Sequence, residues 1–218
     1  MGDIHGCFSS LSALLDLVLD RADTLVFLGD YIDRGPDSRR VIDLLLEVQR
    51  NHARTICLQG NHEFMLQEFL AGRDLSLYLE VGGLQTLASY GLPPTMTGPS
   101  VRAALPADHL AFFSDLPLYW QDQYAIYVHA GLEPGRHISM QTAQWCLWAR
   151  DRFIASRHDF GKRVIFGHTP FREPLVEANK IGIDTGAVYG GRLTALLLPE
   201  TEFISVPGEQ EHPFPAAL

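Results

Sequence analysis

The chain has 218 residues, of which 46% are hydrophobic and 20% are charged, as in an ordinary globular protein. Seventeen Lys and Arg residues against 26 Asp and Glu give a formal net charge of −9. This charge argues against a broad nucleic-acid surface or an anionic membrane partner, since both need basic clusters. The length favours a single domain over residues 1–218.

The cysteines and the apolar runs indicate the compartment. Cys7, Cys57 and Cys146 form an odd set without CxxC spacing, which argues against a disulfide framework or a thiolate zinc site. The N-terminus lacks a basic stretch followed by an apolar run, and no apolar run approaches the roughly 18 residues of a spanning helix. We therefore expect a soluble, cytoplasmic protein.

The first part of the chain alternates helix and strand patterns. Hydrophobic periodicity predicts helices over 8–19, 37–50 and 62–72, and strands over 24–29 and 54–60. This alternation is typical of α/β proteins, whose ligands bind in the loops after the carboxyl ends of the strands.

The rest of the chain has two further patterns. Residues 75–115 are mostly helical in pattern, with a Pro- and Gly-rich connection at 92–100, and predict a small helical cap. Strands are then predicted over 124–131, 163–169, 180–186, 192–199 and 202–206, and a loose tail from 207. The predicted fold class is α/β, with two facing mixed β-sheets flanked by helices.

Five short glycine-flanked motifs carry metal-binding side chains. They are GDIHG (2–6), GDYIDRG (29–35), GNHE (60–63), HAG (129–131) and GHT (167–169). Glycine lets the backbone turn sharply close to a ligand. The candidate ligands, all nitrogen and oxygen donors, are Asp3, His5, Asp30, Asn61, His129 and His168.

This donor set predicts two metal ions. Three imidazoles, two carboxylates and one carboxamide suit Mn²⁺, Fe or Zn²⁺, and six donors exceed what one ion needs if water positions stay open. Two ions about 3.5 to 4 Å apart can hold a hydroxide for in-line displacement at phosphorus.

Each motif taken singly has another interpretation. The acidic residues of GDYIDRG could form a solvated turn, and Asn61 could cap the helix that follows it. His129 and His168 could be satisfied core histidines at strand ends. The occurrence of five such junctions in one chain favours a common site.

The ordered motif set resembles the phosphoprotein phosphatase branch of the calcineurin-like metallophosphoesterases, from about Gly2 to Leu198. The stretches GGLQTLASYG, LPLYW, WCLWARDRF and IDTGAVYGGRL are similar to bacterial members, which include serine/threonine phosphatases and diadenosine tetraphosphatases. The resemblance implies a four-layer α/β/β/α sandwich and a binuclear metal centre.

The resemblance also implies roles for the candidate ligands. Asp3 and His5 would bind the first metal, and Asp30 would bridge both. The remaining ligands, Asn61, His129 and His168, would hold the second metal. The expected cofactors are two divalent ions, Mn²⁺ first, with Fe or Zn as alternatives.

Further residues match the catalytic and substrate-binding positions of the family. Arg34 and Arg150 match its phosphate-gripping arginines, because a guanidinium offers a planar fork to two phosphate oxygens. His62 would protonate the departing oxygen, and Asp33 would hold its imidazole. Arg150 could instead be an exposed helix residue in a surface ion pair.

Two residues have less specific assignments. Tyr189, like Asn61, is a candidate substrate contact, although it could merely pack, and Glu63 could cap the start of its helix.

Family members also have a strand before the first motif, whereas only Met1 and Gly2 precede Asp3 here. We expect such a terminus to be mobile, unless the chain begins farther upstream or the metals hold it.

The sequence leaves three functions open. The leading hypothesis is a serine/threonine protein phosphatase in which a metal-bridging hydroxide attacks phosphorus directly. The alternative is a diadenosine tetraphosphatase or another phosphoanhydride hydrolase, which is disfavoured because no basic run near the motifs would bind several phosphates. The third is a non-catalytic binding module on the same fold. Expected partners are a phosphorylated protein or a small phosphoester, with no nucleic acid and no membrane, and the oligomeric state stays open.

Overall fold

The computed structural model describes residues 1–52, 54–73 and 76–209. The α-helices are α1 (Phe8–Val18), α2 (Ser38–Asn51), α3 (Asn61–Leu70), α4 (Ser76–Tyr78), α5 (Leu84–Ser89), α6 (Gly98–Ala104), α7 (Ala107–Ser114), α8 (Ala143–Trp148) and α9 (Asp151–Ile154). The strands are β1 (Leu25–Phe27), β2 (Thr55–Cys57), β3 (Tyr119–Gln121), β4 (Ala125–Val128), β5 (Arg163–Phe166), β6 (Leu175–Val176), β7 (Lys180–Gly182), β8 (Asp184–Thr185), β9 (Arg192–Leu197) and β10 (Glu202–Pro207).

The strands form a five-stranded sheet and two smaller pieces. The large sheet has the order β3-β4-β5-β7-β6, with β4, β5 and β7 parallel and both edge strands antiparallel. Strands β1 and β2 pair in parallel, and β10-β9-β8 form an antiparallel sheet. The first two residues of the chain join these smaller pieces.

Met1 and Gly2 are held on both sides by backbone hydrogen bonds. The Met1 amino group donates to the Val26 carbonyl at 2.6 Å, and the Leu28 N–H donates to the Met1 carbonyl at 3.1 Å. On the other side, Gly2 N–H donates to the Thr194 carbonyl at 3.0 Å. The expectation of a mobile terminus is therefore wrong for this structure, because these bonds fix the approach to Asp3.

The side chains of the strands alternate between three apolar clusters. In β1, Phe27 packs with α1 and α2, and the next residue, Leu28, faces the five-stranded sheet. In β4, Ile126 packs with α8 and α9, whereas Tyr127 faces the sheet formed by β1 and β2. Because successive strand residues point to opposite faces, this alternation produces helix, sheet, sheet and helix layers. The predicted α/β class and the two facing sheets are confirmed.

The structure differs from the predicted elements in several places. The strand predicted over 180–186 breaks at Ile183, so that β7 lies in the large sheet and β8 pairs with β9 in the other. Part of the predicted 92–100 connection is helical, since α6 starts at Gly98 with a proline in its first turn. The short strands β3 and β6 carry no clear sequence pattern and were not predicted.

Helices dominate the range 76–114. A helical turn over Leu79–Gly83 joins α4 to α5 and breaks at Gly82, whose φ is 125°. The beginning of the predicted tail is held, because Gly208 N–H donates to Gly191 and Glu209 N–H donates to Ala187, both at 2.8 Å. The rest of that tail, 210–218, lies outside the described residues. Within the described ranges, no helix has the length and apolar character needed to span a membrane.

Candidate metal centre

The five predicted motifs meet at one end of the two sheets. Asp30 follows β1, Asn61 follows β2, His129 follows β4 and His168 follows β5. Each lies within four residues past the carboxyl end of its strand. Strand β1 is parallel to β2, and β4 is parallel to β5. Asp3 reaches the same place from the paired Met1–Gly2 segment. The predicted ligands therefore lie together at the carboxyl ends of the strands, where α/β proteins bind ligands.

The backbone at this end is locally strained. Outside glycine, six described residues have positive φ, and five belong to the motifs: His5 (48°), Asp30 (52°), Asp33 (72°), Arg34 (69°) and His168 (64°). Such conformations cost free energy and persist only where surrounding structure enforces them, often at functional sites.

Two neighbouring glycines are needed because carboxylate oxygens lie close to their Cα atoms. A Cβ on Gly60 would lie 2.2 Å from Asp30 Oδ1, and a Cβ on Gly167 would lie 2.1 Å from Asp3 Oδ1. Real Cβ atoms do not approach oxygen this closely, so a larger residue at either position would displace a carboxylate. The glycines therefore let carboxylates of other motifs enter the site.

Two groups of ligand atoms share the Asp30 carboxylate. One group is His5, Asp30 and His62, and the other is Asp30, His129 and His168, with all ligand atoms of a group within 4.8 Å of one another. Asp30 Oδ2 is 3.4 Å from His5 Nε2, whereas Oδ1 is 3.4 Å from His129 Nε2. The two oxygens of one buried carboxylate therefore face different groups.

Asn61 points its side-chain oxygen at the second group. Asn61 Oδ1 is 2.9 Å from His129 Nε2 and 2.9 Å from His168 Nδ1. Asn61 is the first residue of α3, and Gly60 occupies the cap position. The alternative in which Asn61 caps this helix is thus not what the structure has.

Asp3 is held in the site by the backbone of the GHT motif. The backbone N–H of His168 donates to Asp3 Oδ2 at 3.0 Å, and the carboxylate is buried. Burial, followed by the like charges of Asp184 and Asp30, raises the pKa of Asp3 well above its ordinary value. A cation between these carboxylates would relieve both effects.

Asp184 is a buried carboxylate that the sequence interpretation missed. It accepts the Gly186 N–H at 3.0 Å, and burial raises its pKa to about 6. It reaches the site because the chain changes sheets at Ile183. The available signal was the stretch IDTGAVYGGRL, which resembles the family although no role was attached to its aspartate.

Burial favours the neutral form of the three candidate ligand histidines, which is the form that binds metal. It is the main cause that lowers the pKa values of His5, His129 and His168. His5 Nδ1 is 2.9 Å from the Ile32 carbonyl and His129 Nδ1 is 3.0 Å from the Leu28 carbonyl. These carbonyls accept the Nδ1 proton, so each Nε2 faces the site with its lone pair. Nitrogen and oxygen donors around a shared carboxylate fit divalent metal ions.

His62 and Asp33 form a buried pair at the edge of the first group. His62 Nδ1 is 2.7 Å from Asp33 Oδ2, and His62 Nε2 is 4.0 Å from Asp30 Oδ2. Asp33 Oδ1 accepts hydrogen bonds from Thr86 at 2.5 Å and from Tyr78 at 3.1 Å. Neither hydroxyl residue was singled out from the sequence.

One predicted arginine lies beside each group. An Nη atom of Arg34 is 2.7 Å from His5 Nε2, and Arg150 Nε is 3.2 Å from His168 Nε2. Arg150 is exposed as a whole residue, yet its guanidinium reaches the site. The Tyr189 ring lies 5.8 Å from the Arg34 guanidinium. Tyr189 is therefore next to a phosphate-binding candidate.

Glu63 does more than cap its helix. One carboxylate oxygen accepts N–H groups of Gly60 at 3.1 Å and Asp30 at 2.9 Å, and the other accepts Tyr31 N–H at 2.8 Å. Burial raises the pKa of Glu63 to about 8. This side chain ties the start of α3 to the strained loop that carries Asp30.

Comparison with known families agrees with this geometry. A sequence profile of the calcineurin-like phosphoesterases matches residues 1–190. The chain therefore belongs to the calcineurin-like phosphoesterase family and is a metallophosphoesterase.

Among curated proteins, the chain is 32% identical to a bis(5'-nucleosyl)-tetraphosphatase PrpE, asymmetrical, of Anoxybacillus flavithermus, over 95% of this chain and 92% of that protein. It is 31% identical to the protein of the same name from Geobacillus thermodenitrificans, over 97% and 94%.

Two solved structures are similar to this one over most of the chain. A crystal structure provisionally described as a diadenosine tetraphosphatase is 27% identical, with a TM-score of 0.73, over 95% of this chain and 91% of that one. A serine/threonine phosphatase from Saccharomyces cerevisiae is 16% identical, with a TM-score of 0.63, over 95% and 78%. The second likeness shows the fold alone.

Proposed function

We propose that this protein hydrolyses bis(5'-nucleosyl) tetraphosphates asymmetrically, giving a nucleoside monophosphate and a nucleoside triphosphate. The observation that carries the proposal is the pair of ligand groups sharing Asp30, each with an arginine beside it. The names of relatives 32% and 31% identical over nearly the whole chain support this substrate class.

This proposal reverses the ranking made from the sequence. The protein phosphatase hypothesis was preferred because no basic run follows the motifs, yet Arg34 and Arg150 come from separate segments. Two guanidiniums, one beside each ligand group, suit a substrate with several phosphates in a row. The serine/threonine phosphatase likeness, at 16% identity, supports the fold and not the substrate.

We propose that Asp3 and His5 hold a first divalent ion, that Asp30 reaches both ions, and that Asn61, His129 and His168 hold a second. Mn²⁺ is the proposed ion, since the donors are nitrogen and oxygen without sulfur. Such ions would supply an activated water for attack on phosphorus. The residues themselves fix where that attack occurs.

Arg34, Arg150 and Asn61 would grip the phosphate under attack. Planar guanidiniums bind two phosphate oxygens at once and hold the phosphorus in line with the incoming water. Tyr189 would limit the positions of the Arg34 side chain through their contact at 5.8 Å. These contacts orient one end of the polyphosphate, which leads to unequal products.

His62 would complete the reaction by donating a proton from Nε2 to the departing oxygen. One P–O bond of the anhydride breaks, the water oxygen remains on one phosphate, and the other product leaves with the bridging oxygen. Asp33 holds Nδ1 at 2.7 Å and so directs Nε2 to the site. A direct transfer to water forms no phosphoenzyme.

A side-by-side assay tests the substrate. Manganese-supplemented protein is given diadenosine tetraphosphate and, separately, phosphoserine and phosphothreonine peptides, and the products are separated by ion-exchange chromatography. We expect AMP and ATP at equal rates and much slower release of phosphate from peptides. Two ADP molecules would contradict asymmetric cleavage, and faster peptide turnover would restore the protein phosphatase hypothesis. No turnover of any substrate would favour the binding module.

A cytoplasmic location and one domain over 1–218 remain part of this proposal.

A further inference from the structure

Asp33 is anchored by two hydroxyl groups from a segment that carries none of the metal ligands. Thr86 Oγ1 donates to Asp33 Oδ1 at 2.5 Å, and the Tyr78 hydroxyl donates to the same oxygen at 3.1 Å. The other oxygen, Oδ2, accepts from His62 Nδ1. The carboxylate thus has one oxygen for the hydroxyls and one for the imidazole.

All members of this network are shielded from water. Asp33 is 0% exposed, and Thr86, Tyr78 and His62 are each 1% exposed. In such surroundings a hydrogen bond to a carboxylate is stronger than in water, and a lost partner is not replaced. Burial also raises the pKa of Tyr78, so its hydroxyl keeps the proton that it donates.

Thr86 holds the backbone of Asp33 as well as its side chain. The Asp33 N–H donates to Thr86 Oγ1 at 2.9 Å and lies 3.1 Å from Ser38 Oγ. Asp33 has a φ of 72°, a conformation that an aspartate keeps only when neighbours enforce it. The Thr86 hydroxyl therefore contacts both the strained turn and the carboxylate, while Ser38 shares the backbone N–H of Asp33.

The same segment approaches Arg34. The Arg34 N–H donates to the Gly82 carbonyl at 3.2 Å, and a Cβ on Gly82 would lie 2.6 Å from Arg34 N. A Cβ on Gly83 would lie 2.5 Å from the Tyr78 ring. The segment from 78 to 86 packs directly against the Asp33–Arg34 turn.

We propose that Thr86 and Tyr78 are positioning residues, which fix the Asp33 carboxylate so that it holds the His62 proton donor in its working orientation. Thr86 carries the larger share, because it contacts both the carboxylate and the backbone N–H of Asp33. The inference rests on the proposed function only in giving His62 the proton-donor role. The hydrogen-bond chain itself can be tested without substrate.

The test uses matched variants and two readouts. Thr86→Val removes the hydroxyl and keeps the shape, Thr86→Ser keeps the hydroxyl and removes the methyl group, and Tyr78→Phe removes only the phenolic hydroxyl. Tyr90→Phe is the control, since Tyr90 also bonds a buried histidine, His109 at 2.7 Å, but lies outside this network. Each protein is loaded with a diamagnetic divalent ion for proton NMR and with Mn²⁺ for kinetics.

The first readout is the downfield resonance of the His62 Nδ1 proton, assigned by its loss in His62→Asn. We expect it to shift or broaden in Thr86→Val, to shift less in Tyr78→Phe, and to stay unchanged in Thr86→Ser and Tyr90→Phe. The second readout is hydrolysis of diadenosine tetraphosphate. We expect kcat to fall about tenfold in Thr86→Val with little change in KM, because proton donation typically contributes about 10² to 10⁴ in rate.

The two readouts separate the possible failures. A resonance that persists unchanged in both Thr86→Val and Tyr78→Phe, or that is missing from the unsubstituted protein, overturns the positioning role. Failure of the unsubstituted protein to cleave the tetraphosphate counts against the proposed function, and the resonance still decides this inference. If Thr86→Val does not fold, Tyr78→Phe carries the test alone, with Tyr90→Phe as its control.

Discussion

His62 Nδ1 lies 2.7 Å from Asp33 Oδ2, with both side chains at most 1% exposed. An ionised carboxylate can only accept, so the imidazole directs its Nδ1 proton at Asp33. The opposite nitrogen, Nε2, then faces Asp30 at 4.0 Å, inside the candidate metal centre. This orientation is what a proton donor to a leaving oxygen requires.

Replacing His62 by Asn should lower turnover sharply without removing metal. We expect kcat to fall by about 10² to 10⁴, and most for substrates with poor leaving groups. The measurements are kcat across a series of phosphate esters with graded leaving groups and metal content by elemental analysis. An unchanged rate with the poorest leaving group would remove His62 from the reaction.

Asp30→Asn should reduce binding of both metal ions. One Asp30 oxygen is 3.4 Å from His5 Nε2 and the other is 3.4 Å from His129 Nε2, so the carboxylate belongs to both groups. Elemental analysis after dialysis against manganese measures the stoichiometry, and Asp16→Asn on the exposed face of α1 is the control. Retention of two ions per chain in Asp30→Asn would contradict a shared carboxylate.

Arg150→Ala should weaken phosphate binding, whereas Arg152→Ala should not. Arg150 Nε lies 3.2 Å from His168, while the neighbouring Arg152 lies over the Trp145 ring at 5.3 Å. A hydrogen bond to a charged group contributes about 1.5–3 kcal/mol, which corresponds to a loss of roughly 10- to 150-fold in kcat/KM. Inhibition by orthophosphate gives a second measure. Equal losses in both variants would point to a general effect of surface charge.

The sequence predicted the fold class because apolar runs and glycine-flanked loops mark both sheets. It did not predict that the 180–186 run divides between two sheets, since a continuous apolar pattern records burial and not the sheet to which a strand belongs. It also predicted mobility for Met1 and Gly2, because hydrogen bonds to β1 and to Thr194 of β9 depend on distant parts of the chain.

The candidate ligands were predictable because each stands in a short glycine-flanked motif, and all but Asp3 and His5 follow a predicted strand. Tyr78, Thr86 and Asp184 were not, since a hydroxyl or a lone carboxylate has no local pattern that distinguishes a site residue from a helix or strand residue. The preference for a protein phosphatase over a tetraphosphatase was wrongly based on local sequence for the same reason. Arg34 and Arg150 are 116 positions apart in the printed chain, and only folding puts them on the same ligand cluster.

The three cysteines should be unreactive in the folded protein. Cys7, Cys57 and Cys146 form no disulfide and are buried. Burial raises the pKa of Cys57 to about 12 and that of Cys146 to about 11. Thiolate is the reactive form, so little is present at pH 8. Ellman's reagent should label none rapidly in native protein and all three after denaturation. Rapid labelling of one thiol without denaturant would show that the protein unfolds locally around that cysteine.

Gly82→Ala should impair both stability and phosphate binding, and Gly91→Ala separates the causes. Both glycines have positive φ, 125° and 70°, but a Cβ on Gly82 would lie 2.6 Å from Arg34 N whereas a Cβ on Gly91 meets nothing within 4 Å. Gly91→Ala should therefore lower the free energy of unfolding only by the cost of a positive φ for alanine, about 1–2 kcal/mol. Gly82→Ala should cost more and also displace Arg34.

Urea unfolding and orthophosphate inhibition measure the two effects separately. We expect the unfolding midpoint to fall in both variants, further in Gly82→Ala, and the inhibition constant to rise only in Gly82→Ala. If Gly82→Ala bound orthophosphate as tightly as Gly91→Ala, the contact between the Leu79–Gly83 turn and Arg34 would not matter for the anion. The turn would then stabilise the fold without shaping the site.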